Sequence, residues 1–150
     1  MSKTTVDTLS KQIDNIRVSS CSDFAALAPP DDFGLISHWY YASGNVNERY
    51  KRIVVRPGRG LPGKALMIGR IMAMNEYPFT AEGYKIECAI MLAENLKSAV
   101  AVPIRAASGN RGLLLVGNRQ NHVYAAAELE YLQACSEELI DLIDPKPSIK

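Results

Sequence analysis

The chain is poor in the residues that most catalysis and cross-linking require. Its 150 residues include three cysteines, two histidines and one tryptophan. Cys21, Cys88 and Cys135 are odd in number, far apart and without a C-x-x-C pair. That argues against a disulfide framework or a zinc cage and fits reduced thiols in the cytoplasm. With so few histidines, and with no Ser/His/Asp or paired-carboxylate constellation apparent, the expectation is no catalytic residue, no metal and no cofactor. A formal net charge of +1 gives no global drive toward nucleic acid or an acidic membrane surface. No apolar stretch approaches the roughly 20 residues that a membrane span needs. The opening segment "MSKTTVDTLSKQIDNI" is polar with helical periodicity, unlike a secretory signal. Internal repeats, low-complexity runs and long linkers are also lacking.

What remains is the composition of one ordinary globular domain, 47% hydrophobic and 22% charged. One domain is expected over residues 1–144, with 145–150 a flexible tail. Val6, Leu9, Ile13 and Ile16 mark one face of a helix that Thr4 or Thr5 could cap. Leu129, Leu132, Cys135, Leu139 and Leu142 do the same for a longer helix beginning near Ala125, with Glu130, Glu137, Glu138 and Asp141 opposite. Between them the chain reads largely as strands. Phe24 to Leu27 is one, closed by the "APPDD" turn. Phe33, Leu35, Trp39 and Tyr41 alternate along the next, with His38 on its other side. Ile53–Val55 and Arg70–Met74 are shorter candidates, and "SAVAVPI" and "GLLLVG" around "SGNR" give the clearest hairpin. A short helix is expected within residues 86–96. Strands bracketed by terminal helices predict an α+β fold with an antiparallel sheet.

The stretch "RPGRGLPGKAL", residues 56–66, has the letters of a dinucleotide fingerprint, G-x-G-x-x-G, after an apolar run. Glu76 even supplies an acidic residue about 20 positions on. The surroundings do not fit: Arg56-Pro57 interrupts the strand-to-turn junction, and Gly69 stops any helix after two turns. A P-loop is excluded by spacing and by Ala65 where a magnesium-binding hydroxyl belongs. The better reading is a tight turn into a short helix, with Pro62 at its first position and Gly69 as its stop. Such a helix start leaves backbone N–H groups at a partly positive end, where a small anion is a natural occupant. Arg56, Arg59 and Lys64 surround the turn and read first as a solvated face.

The blocks "WYYASGNVNERYKRIVVRPGRGLPGKALMIGR", "MLAENLKSAVAVPI" and "RGLLLVGNR" together resemble a GAF domain. They carry, in order, its G-x-G-[LI]-x-G turn, its L-x-S-x-x-A-x-P-[IL] strand and its G-x-L-x-x-G strand, over roughly residues 4–143. The first block is most similar to the stand-alone nitrate receptors that regulate an oxygen-sensing histidine kinase. The resemblance implies a central antiparallel sheet with the terminal helices on one face and short helices and loops around a ligand pocket on the other. It implies a non-catalytic sensor for nitrate or a similar small anion, with a histidine kinase or other regulator as partner and output through that separate protein. Ligand-binding positions carried over are Trp39, Leu61, Gly63, Cys88 and Ile90. Pro62 stands where the family commonly has an alanine whose amide is used, and Cys88 where the nitrate receptors have tyrosine. Losing one amide and one phenol hydroxyl weakens anion binding by about 1–3 kcal/mol if nothing replaces them. Ordering of residues 75–90 over the pocket is the expected response to ligand.

The resemblance leaves alternatives. The cyclic-nucleotide GAF motif is absent, and no bilin-attachment cysteine can be assigned. A GAF sensor for another small ligand is one alternative, and a cysteine-dependent reductase of a small sulfoxide, using Cys88, is a second. A scaffold whose pocket is plugged by Trp39 or Met91 is a third. The terminal helices either cover the sheet or form a homodimer as a four-helix bundle.

Overall fold

In chain order, the computed structural model describes residues 3–30, 37–75, 88–107 and 109–143. They form α1 (Lys3–Ser19), β1 (Phe24–Ala28), β2 (Ser37–His38), β3 (Tyr41–Ser43), a 3₁₀ turn (Arg49–Arg52), β4 (Val54–Val55) and α2 (Gly60–Ile68). β5 (Met72–Met74), α3 (Ala89–Ala93), β6 (Ser98–Arg105), β7 (Arg111–Asn118) and α4 (Ala126–Ile143) complete the chain. Five strands make one antiparallel sheet in the order β3-β1-β7-β6-β5, and β2 pairs with β4 in a separate two-stranded ribbon. This is the expected α+β fold.

The sheet is apolar on both faces, and the period of two sorts its residues into two cores. Ala25, Leu27, Val100, Val102, Ile104, Leu114 and Val116 face one way, where Leu9, Ile13 and Ile16 of α1 and Leu132, Cys135 and Leu139 of α4 cover them. Phe24, Ala26, Ala99, Ala101, Leu113 and Leu115 face the other, under α2, α3 and the 3₁₀ turn. Each leucine buried completely adds about 1.5–3 kcal/mol of hydrophobic stabilisation. Ala99 and Ala101 keep the second face flat, so the short helices can approach the sheet closely. The apolar stripes of the terminal helices thus cover the sheet.

Some local expectations change. Trp39 and Tyr41 do not share a face: Trp39 joins the core under α2 and α3, and Tyr41 the core under α1 and α4. The chain leaves the ribbon at Trp39, and the Tyr40 amide is captured by the Leu27 carbonyl at 3.0 Å, so one apolar run serves two sheets. Helix α1 already runs at Lys3, placing Thr4 and Thr5 inside its first turn. Pro62 is the third residue of α2, still among the first-turn positions whose N–H groups have no partner. Phe33, Leu35, Glu76, the end of the "APPDD" turn and the 144–150 tail lie outside the described residues.

Helix α3 is only one turn and a half, and its end is secured by charge. The Glu94 carboxylate, fully buried, accepts from Arg119 Nη2 at 2.8 Å and from the Val46 amide at 2.8 Å. Arg119 also donates to the Glu94 carbonyl and the Gly44 carbonyl, both at 3.0 Å. Asn95 takes the left-handed conformation at φ 55, and the Leu96 amide closes the helix on the Met91 carbonyl at 2.8 Å. Removing one partner leaves the other charge buried and unpaired. Arg119→Met is therefore expected to destabilise the fold by about 3–5 kcal/mol, measured by urea unfolding. A loss under 1 kcal/mol would show that this pair is not what holds α3.

Candidate functional site

The turn before α2 is built by close backbone approach. Gly58 and Gly60 have φ of 82° and 65°, a region that side chains disfavour. The Gly58 amide donates to the Gly63 carbonyl at 2.8 Å, folding the turn back onto the helix. A Cβ on Gly63 would overlap the Arg56 carbonyl oxygen. These glycines serve the turn, and no pyrophosphate is needed to explain them. At its other end α2 is stopped by Gly69 at φ 77, and Arg111 Nη1 donates to the Leu66 carbonyl at 3.0 Å. A cation on those carbonyls complements the helix dipole. Together the two ends aim the amino end of α2 at a pocket.

That pocket has a volume of about 340 Å³. Its apolar walls come from Trp39, the segment Ile53–Val55 and Ile90. Arg56, Arg59, Pro62, Cys88 and Ala89 complete it. Trp39 is buried to 1% exposure. Cys88 and Ile90 are also buried, and both arginines are exposed. Among the described residues, neither the Arg56 nor the Arg59 side chain has a hydrogen-bond or ion-pair partner.

The five positions expected to bind ligand fall into two groups. Trp39, Cys88 and Ile90 line the pocket together. Leu61 lies buried behind it, and the Gly63 amide is engaged by the Arg59 carbonyl at 3.1 Å, so Gly63 acts through the turn. The backbone N–H groups of Met91, Leu61 and Ile90 are all directed at the Cys88 sulfur. Two chain segments, the starts of α2 and α3, thus bring donors to one point. Burial pushes the Cys88 thiol up, and those three amides offset only part of the effect. The group is therefore a neutral thiol at pH 7, unlike the thiolate that nucleophilic chemistry needs. Cys135 lies in the core on the opposite face of the sheet, and Cys21 is exposed at the end of α1. Neither lines the pocket that holds Cys88.

Arg56 and Arg59 were not among the expected ligand-binding residues. The one signal in the sequence was their position within the glycine turn. A larger cleft of about 560 Å³ lies between the β6–β7 hairpin and α4, lined in part by Arg105, Arg111, Glu137 and Asp141. Its charges are of both signs, so it offers no net preference for an anion. No cluster of metal-ligating side chains occurs among the described residues. No helix among them is long and apolar enough to cross a membrane.

The sheet, the two helix layers and the pocket under α2 define the class, a GAF domain. The GAF domain of a phosphoenolpyruvate-protein phosphotransferase from Coxiella burnetii superposes with a TM-score of 0.76 at 17% identity, over 93% of this chain and 82% of that one. More specifically, an NreA protein from Staphylococcus aureus, mutated in its nitrate-binding site, is 33% identical with a TM-score of 0.67. That similarity covers 77% of this chain and 86% of that one. The chain belongs to the NreA family of GAF proteins. A free methionine-R-sulfoxide reductase from Neisseria meningitidis, solved with its substrate, shares the fold at 13% identity. Its TM-score is 0.73, over 93% of this chain and 77% of that one. No protein-family model matches the chain, and no curated protein does.

The buried thiol has a measurable signature. Cys88 is expected to react with iodoacetamide at pH 7.5 at least about tenfold more slowly than exposed Cys21, read by mass spectrometry of the alkylated peptides. A folded-state pKa above the unfolded one means that stability is held while the thiol is protonated and falls as it ionises. Burial pushes the Tyr124 hydroxyl up as well. Stability should therefore decline as pH rises from about 8.5, with the Cys88→Ala variant losing less over that range. Equal alkylation rates at the two thiols would contradict the burial of Cys88.

Proposed function

We propose that the chain is a non-catalytic sensor that binds a small anion in the pocket beside Trp39. The observation that carries this reading is the pocket itself: it opens beside the start of α2, and Arg56 and Arg59, which have no side-chain partner among the described residues, stand at its mouth. Dipole and guanidinium charge reinforce each other there. The family relationship supports it, since NreA is described by its nitrate-binding site. Nitrate is accordingly the reference ligand. Output passes to a separate cytoplasmic signalling partner, a histidine kinase being the first candidate. A homodimer built on the terminal helices would use their outer surfaces, where Val18 and Tyr131 are exposed, because their apolar stripes cover the sheet. The reductase alternative is disfavoured by the neutral thiol and by the positions of Cys21 and Cys135.

Ligand binding shifts a conformational equilibrium only by its differential affinity for the two states. A direct thermodynamic test is thermal unfolding against nitrate, nitrite, iodide, chloride and small carboxylates. At a hundredfold excess over Kd a ligand adds about 2.7 kcal/mol, a rise of roughly 5–10 °C for a domain of this size. At least one anion other than chloride is expected to give that rise, and Trp39→Ala is expected to abolish it while the protein stays folded. An identical response to chloride, or an unchanged response in Trp39→Ala, would refute the pocket as the anion site.

A further inference from the structure

We propose that the anion is an organic monocarboxylate with a compact apolar body, held by Arg56 and Arg59, and that a bare inorganic oxoanion is a poor fit. The inference rests on the small-anion reading above and names the class of that ligand.

Three observations lead to it. The first is the donor set. Pro62 has no amide to offer, and the N–H groups of Leu61, Ile90 and Met91 are directed at the chain's own Cys88 sulfur. A small oxoanion needs several donors around it at once, and here the Cys88 sulfur competes for them. The second is size. A water takes about 30 Å³ of liquid, and the pocket is about 340 Å³, so a nitrate ion fills only a small part of it. The third is the character of the walls. Trp39, Ile53, Val54, Val55 and Ile90 contribute apolar atoms to it, and two cations without a side-chain partner among the described residues, Arg56 and Arg59, belong to the turn beside them.

An occupant must therefore be anionic at one end and apolar over the rest. A guanidinium satisfies both oxygens of a carboxylate by itself, through two parallel N–H···O bonds. A phosphate, with three oxygens to satisfy, depends more on a cradle of amides, to which Pro62 contributes none. The apolar body lies against Cys88, Ile90 and the indole of Trp39.

The test is calorimetric titration of the full chain with benzoate, benzamide, acetate and nitrate. Benzoate is expected to bind at least about tenfold more tightly than each of the other three. Benzamide lacks the charge, and acetate and nitrate lack the apolar body. In the Arg56→Gln/Arg59→Gln double variant, benzoate should fall to the level of benzamide. The melting temperature without ligand should not change, because both side chains are exposed. Nitrate binding more tightly than benzoate would overturn this inference and leave the small-anion reading intact. Binding of none of the anions would overturn both. Equal affinity for benzoate and benzamide, or benzoate affinity unchanged in the double variant, would overturn the carboxylate assignment. The wild-type comparison decides the matter even if the variant fails to fold.

Discussion

The pocket depends on a sheet that is buried on both faces. Because side chains alternate along β6 and β7, every residue that anchors the terminal helices has a neighbour that anchors the short ones. The larger aliphatic residues Val100, Val102 and Ile104 face α1 and α4, and the small residues Ala99 and Ala101 face α2. That asymmetry places two short helices close to the sheet with their amino ends toward one point. A short helix contributes little stability alone, so its position is set by what holds its ends. For α2 these are the glycine turn and Arg111, and for α3 the Glu94–Arg119 pair and the left-handed Asn95.

The chemical character of the site follows from this placement. Amides at a helix start are unpaired by geometry, and the fold brings two such starts together. In this chain the point at which they meet carries a sulfur atom. A buried neutral thiol is a weak acceptor, so it competes for the donors without introducing charge. The positive potential that remains is supplied by the two arginines of the turn. On the proposed reading, recognition of an anion falls to these side chains at the pocket mouth.

Much of the fold was legible in the sequence, and the reasons are local. The hairpin of β6 and β7 announced itself by two apolar runs around a turn, and α2 by a glycine turn and a glycine stop. The break at Trp39 was not legible, because alternation continues through it and only the pairing of Tyr40 with Leu27 reveals the change of sheet. Trp39, Cys88 and Ile90 could be named only because the motif blocks resemble those of the nitrate-receptor GAF proteins, whose pocket positions were carried over onto them. The direction of three amides at Cys88 could not, since it arises from two segments far apart in sequence. The same holds for Glu94 and Arg119, whose pairing no local pattern encodes. Arg56 and Arg59 lay in plain view but read as solvated charge, which is the usual fate of arginines in an exposed turn.

The most direct measurement is amide and indole chemical-shift mapping on isotope-labelled protein titrated in parallel with nitrate and benzoate. With an anion in the Trp39 pocket, the Trp39 indole N–H and the amides of Leu61, Ile90 and Arg59 should shift together along one saturating curve. Shifts confined to residues of the hairpin cleft, such as Arg105 and Asp141, with the Trp39 indole unmoved, would contradict an anion site under α2.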